Sequence, residues 1–174
     1  MLRRTFLGWT ALVCLPPLAL AADPPPDAVL SSIQGNWGGS LQYKDFSAPD
    51  KLVTLPTKLS IALSGPDEIT MHYVYDDGPN KTVYAYERMR FDFAKNEVHW
   101  KGGSKDKPVE MTWQITRSVP SGASRLVVME RPRNEGKKDR LTFELAPAAL
   151  TFAKDEIAAD GQSSFRNKYT FKRP

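Results

Sequence analysis

Along most of this chain apolar residues recur at every second position, and short clusters of Gly, Pro, Asn and Asp interrupt the pattern. Successive side chains of a strand point to opposite faces, so a period of two means one buried face and one wet face. Trp37, Gly39, Leu41 and Tyr43 share a face, and Leu59, Ile61 and Leu63 repeat the alternation before Gly65-Pro66-Asp67. Ile69, Met71, Tyr73 and Tyr75 then run into Asp76-Asp77-Gly78-Pro79, a hairpin signal. Val83, Ala85, Glu87, Met89, Phe91 and Phe93 form the next set, followed by Val98-Trp100, Val109 to Ile115, Leu126 to Met129, Leu141 to Leu145, Leu150-Phe152 and Phe165 to Phe171. No helical period appears after Ile33. The expected class is therefore all-β, an antiparallel up-and-down β-barrel of about 8–10 strands with a short N-terminal helical turn. A closed barrel is expected over an open sandwich, because pairing the last strand with the first removes both raw edges.

The N-terminal end reads as a signal peptide spanning 1–21. Arg3 and Arg4 supply the positive start, Leu7 to Leu20 the apolar run, and Ala19-Leu20-Ala21 the small residues for cleavage. Arg3-Arg4-Thr5-Phe6-Leu7 also fits the twin-arginine signal, and a general secretory signal accounts for the same residues. The expected location is periplasmic or secreted, with no membrane span after cleavage. Cleavage would remove Arg3, Arg4 and no acid, which lowers the net charge from +4 to +2 and weakens any argument for nucleic-acid binding. It would also remove Cys14, the single cysteine, so disulfides and thiol chemistry are not expected. Residues 22–33 read as a Pro-rich tether, Asp23-Pro24-Pro25-Pro26, and a helical turn from Ala28 to Ser32 capped by Asp27. Residues 34–174 form the barrel domain, without a repeat or a second domain.

Gly35-Asn36-Trp37 opens the first strand just after the helical turn, and this resembles the Gly-x-Trp signature of lipocalins and their bacterial lipocalin-like relatives. The resemblance implies a calycin-type barrel in which Trp37 packs across the closed end beneath a basic side chain of the last strand, Arg166 or Arg173. The paired cysteines of many lipocalins and the Thr-Asp-Tyr motif of their middle loop are absent. Without the resemblance, the same residues read as a buried tryptophan preceded by a glycine that eases the turn out of the helix.

Polar residues in phase with the apolar set need a partner or a ligand inside the barrel. Glu87, between Ala85 and Met89, is one; Asn167, between Phe165 and Tyr169, is another. Tyr43, Tyr73, Tyr75 and Tyr169 add hydroxyls on the same face, and Arg131, in step with Val127 and Met129, is a candidate counter-charge for Glu87. Met71, Met89, Phe91, Met111 and Trp113 complete the makeup of a small-molecule pocket. The ligand-binding set is Tyr43, Tyr73, Glu87, Trp113, Asn167 and Tyr169. A filled tyrosine core, with Glu87 at a strand end facing water, is the plain alternative.

His72 and His99 fall out of phase with their apolar neighbours and are expected to face outward, so no metal site and no cofactor are expected. No nucleophile elbow or phosphate-cradling loop is present. The reading is a monomeric, non-catalytic barrel that binds a small, largely apolar ligand. The alternatives are an envelope interaction or inhibitor-like module, acting through the loop Lys101 to Pro108 and the outer stripe Arg166-Lys168-Thr170-Lys172, and an enzyme using Glu87 as acid or base.

Overall fold

A computed structural model describes residues 26–174 apart from Phe46, Pro49 and Lys105, and of Pro26, Asp27 and Ser104 it describes the backbone alone. The signal peptide, most of the Pro-rich tether and the Asp27 cap lie outside what is described. Helix α1 (Pro26–Ser32) precedes ten strands: β1 (Gly35–Lys44), β2 (Leu52–Gly65), β3 (Glu68–Asp76), β4 (Thr82–Asp92), β5 (Glu97–Ser104), β6 (Lys107–Ser121), β7 (Ser124–Pro132), β8 (Lys138–Leu145), β9 (Ala149–Ile157) and β10 (Ser163–Lys172). All pair antiparallel with their sequence neighbours, and β10 returns to β1, with Gly39 opposite Phe171 and Tyr43 opposite Asn167. The barrel is closed, as the alternation implied.

Gly39 makes that closing seam possible. A Cβ at this position would lie 2.0 Å from the Thr170 carbonyl oxygen and 2.8 Å from the Phe171 ring, so only glycine lets β10 approach.

Odd-numbered and even-numbered connections fall at opposite ends. At one end α1 packs on β7, and Val29, Leu30 and Ile33 are buried in the same core cluster as Trp37, Ile69, Phe91, Val127, Leu145 and Phe171. Gly35 turns the chain from helix to strand at φ +112°, a value that favours glycine. Trp37 is buried, and its Nε1 donates to the Ile33 carbonyl at 3.0 Å, fixing the helix to the first strand. The basic side chain above it is Arg173, 4.4 Å from the ring centroid. Its guanidinium also donates to the carbonyls of Pro147 (2.6 Å), Gln34 (2.9 Å) and Ser32 (2.7 Å). Arg166 sits at the far end of β10 and does not take this role, because β10 runs from the open mouth to the plugged end and only its last residues reach Trp37.

One expected loop is shorter than the sequence suggested. Gly102 pairs with Val109 and Gly103 with Pro108, so most of Lys101 to Pro108 belongs to a tight hairpin. The glycines permit this: Gly103 adopts φ +89°, and Gly102 leaves room for the Trp100 ring, whose carbons would lie 2.6 Å from a Cβ there.

Candidate functional site

The open half of the barrel holds two compartments. The outer one is a recess of about 330 Å³ at the mouth, lined by Leu41, Tyr43, Leu55, Tyr75, Val83 and Asn167, with Asp77 and Arg166 at its edge. The inner one is a chamber of about 190 Å³. Its lining includes Tyr73, Glu87, Trp100, Trp113, Phe152 and Tyr169, together with Met89, Met111, Leu141, Phe143, Lys154 and Asn167.

Of the six expected ligand-binding residues, Tyr73, Glu87, Trp113, Asn167 and Tyr169 line the chamber and Tyr43 lines the recess. Asn167 touches both, just past a bulge in the β9–β10 pairing. Met71 and Phe91 are fully buried below the chamber and do not line it. Trp100 and Lys154 were in phase with Val98 and with Leu150-Phe152, and that alternation was the signal that places them inside. Phe143 was in phase in the same way.

The chamber is smaller than the roughly 300–1,000 Å³ of most small-molecule pockets, because aromatic rings fill the interior. It exceeds the cavity of about 150 Å³ that accommodates benzene. The walls therefore accept one ring-sized body and not a long lipid. Tyr73 and Tyr169 rings lie 5.3 Å apart, and Phe143 and Phe152 rings 4.5 Å apart, which fixes two sides.

Between the compartments the Tyr75 and Tyr169 hydroxyls share a hydrogen bond of 3.0 Å. Burial is the main cause that pushes Tyr75 up to about 12, and it raises Tyr73 and Tyr169 as well, so all three hydroxyls stay protonated at physiological pH.

Glu87 faces this group from β4. Burial is the largest influence and holds its carboxyl above the ordinary range, while donation from the Trp100 indole and the Tyr73 hydroxyl acts in the opposite direction. Arg131 is not its counter-charge. The β7–β8 register sets Arg131 opposite Asp139, which it meets at 2.6 Å, whereas β5 and β6 separate it from Glu87. Arg133 at 3.4 Å and Lys154 at 3.6 Å complete a cationic collar around Asp139, whose side chain is 2 % exposed. Burial alone would raise Asp139; the Arg131 hydrogen bond and the charges of Lys154, Arg131 and Arg133 more than reverse this and hold it below its usual value.

Arg131 also contacts Met111 Sδ, and its guanidinium lies 5.2 Å from the Trp113 ring centroid. Trp113 is 3 % exposed, and its Nε1 has no hydrogen-bond partner among the described residues.

His72 stacks on Tyr86 at 4.2 Å on the outer face of β3 and β4, and His99 approaches Glu97 and Thr112 there on β5. Among the described residues no group of His, Cys, Asp or Glu has the makeup to hold a metal ion. Also among them, no helix is long and apolar enough to cross a membrane.

No family model and no curated protein matches the chain. Solved structures do. Rv2717c from M. tuberculosis is 12 % identical with a TM-score of 0.60, over 87 % of this chain and 99 % of that one. The S-type phycobiliprotein lyase CPES from Guillardia theta is 10 % identical with a TM-score of 0.52, over 83 % and 90 %. Both are lipocalin- or calycin-like ten-stranded barrels, and at these identities the likeness establishes the fold alone: the chain folds as a lipocalin-like barrel.

Proposed function

We propose that this protein is an exported, non-catalytic carrier of one small ligand, whose apolar body occupies the chamber and whose remainder reaches into the recess. A single observation carries the reading. The inward polar residues of four strands converge on one ring-lined chamber in the open half, while the opposite end is plugged by α1, Trp37 and Arg173. A packed barrel would need no such polar residues on its inner face, since each costs free energy unless it finds a partner. Export is supported by residues 1–21, whose charged start, apolar run and small-residue end form a secretion signal.

The interaction-module reading loses its loop, since Lys101 to Pro108 is mostly hairpin, and it retains the basic outer stripe of β10. Native mass spectrometry of protein purified from the envelope of its own host separates the two. The carrier reading expects one small molecule per chain. Chains at the unliganded mass that recover a protein partner instead would contradict it.

A further inference from the structure

Two charged side chains, Glu87 and Lys154, line the chamber, and Arg131 and Asp139 lie beside its wall. Asp139 engages both cations. Asp139 accepts from Arg131 at 2.6 Å and lies 3.6 Å from Lys154. Glu87 is left over. Among the described residues it forms no ion pair, and the groups that favour its charged form, the Trp100 indole and the Tyr73 hydroxyl, are both uncharged. A half-buried carboxylate with no cation against it gains from a ligand that supplies one.

The rest of the wall favours the same partner. Trp100, Trp113, Tyr73, Tyr169, Phe143 and Phe152 line the chamber, and the faces of such rings attract cations. Arg131 already makes this contact with Trp113. An anion is disfavoured, because Lys154 is held by Asp139 and the anion would sit in the same small space as Glu87.

Resting on the interior-carrier reading, we infer that the ligand is a ring-sized organic cation, an arylalkyl primary amine or quaternary ammonium, with its charged nitrogen against Glu87. The aromatic body fills the space between Trp113, Phe152 and Tyr169. The titratable groups around Glu87 are the hydroxyls of Tyr73 and Tyr75 on β3 and Tyr169 on β10, and across the chamber Lys154 on β9, which Asp139 engages. Burial holds the Glu87 carboxyl above its ordinary range, so affinity for the cation rises with pH as it ionises.

Calorimetric titration of the full chain at neutral pH with 2-phenylethylamine, benzyltrimethylammonium, 2-phenylethanol and phenylacetate tests this. Both cations are expected to bind roughly tenfold or more tightly than the isosteric alcohol, and phenylacetate most weakly. Glu87→Gln keeps the shape and one acceptor oxygen while removing the charge, so it should erase the preference for cations and retain the alcohol. Trp100→Leu provides a second variant, lowering cation affinity more than alcohol affinity. Equal affinity of amine and alcohol for the native chain, or a preference that survives Glu87→Gln, would overturn the inference and leave the interior carrier standing. Binding of none of the four probes would remove both readings.

Discussion

The hydroxyl oxygens of Tyr75 and Tyr169 lie 3.0 Å apart and join β3 to β10 over two intervening strands. This pair divides the mouth recess from the inner chamber, so it sets the size of molecule that either compartment accepts. Removing one hydroxyl by Tyr75→Phe costs about 0.5–1.5 kcal/mol, the net worth of a hydrogen bond, measured by chemical denaturation. Tyr75→Ala goes further and merges the compartments. A naphthalene-sized amine should then bind at least about tenfold more tightly than it binds the native chain, as fluorescence titration would show. Unchanged affinity would mean that the tyrosines are not the divider.

Arg173 and Trp37 form the plug at the other end. Arg173→Ala removes three donations to backbone carbonyls and the contact with the indole, in an exposed setting, and is expected to cost about 1–2 kcal/mol. A double-mutant cycle with Trp37→Phe should return a coupling of about 0.5–1 kcal/mol. Probe affinity in the chamber should stay as it is. A large loss of affinity with little loss of stability would place the site at the wrong end of the barrel.

Asp139 and Glu87 respond to pH with opposite signs. Asp139 is held below its ordinary value, so its contribution is present above the usual aspartate range and disappears as pH falls through its folded value. Glu87 is held above its ordinary value, so its contribution is present in acid and is lost as pH rises through its folded value. Thermal unfolding should therefore find Asp139→Ala destabilised at neutral pH by about 2–3 kcal/mol, below the cost of breaking a fully enclosed pair because Arg131 and Lys154 keep contact with water. In strong acid that deficit shrinks. Glu87→Gln should raise the melting temperature at neutral pH and leave it unchanged in acid.

The barrel was legible because alternation is a local property: each inward set from Trp37-Gly39-Leu41-Tyr43 to Phe165–Phe171 could be read without knowing its neighbours. Five of the six candidate ligand residues share one chamber for the same reason, since inward position along a strand fixes which face a residue lines. Register across strands is not local, and that is where the reading failed. Arg131 was assigned to Glu87 because both point inward, and only the β7–β8 pairing reveals Asp139 directly opposite it. The choice between Arg166 and Arg173 likewise depended on which end of β10 meets Trp37. Cavity size was out of reach as well, because it depends on how the rings of six strands interdigitate.

The central claim is that a ring-sized molecule enters the open half of the barrel, and the indole N–H resonances of the tryptophans test it directly. Trp100 and Trp113 line the chamber, whereas the Trp37 N–H is tied to the Ile33 carbonyl at the plugged end. Addition of 2-phenylethylamine to isotopically labelled protein should shift the Trp100 and Trp113 signals in a saturable way and leave Trp37 in place. Signals of Trp100 and Trp113 that do not move at saturating probe, or a shift confined to Trp37, would contradict the account.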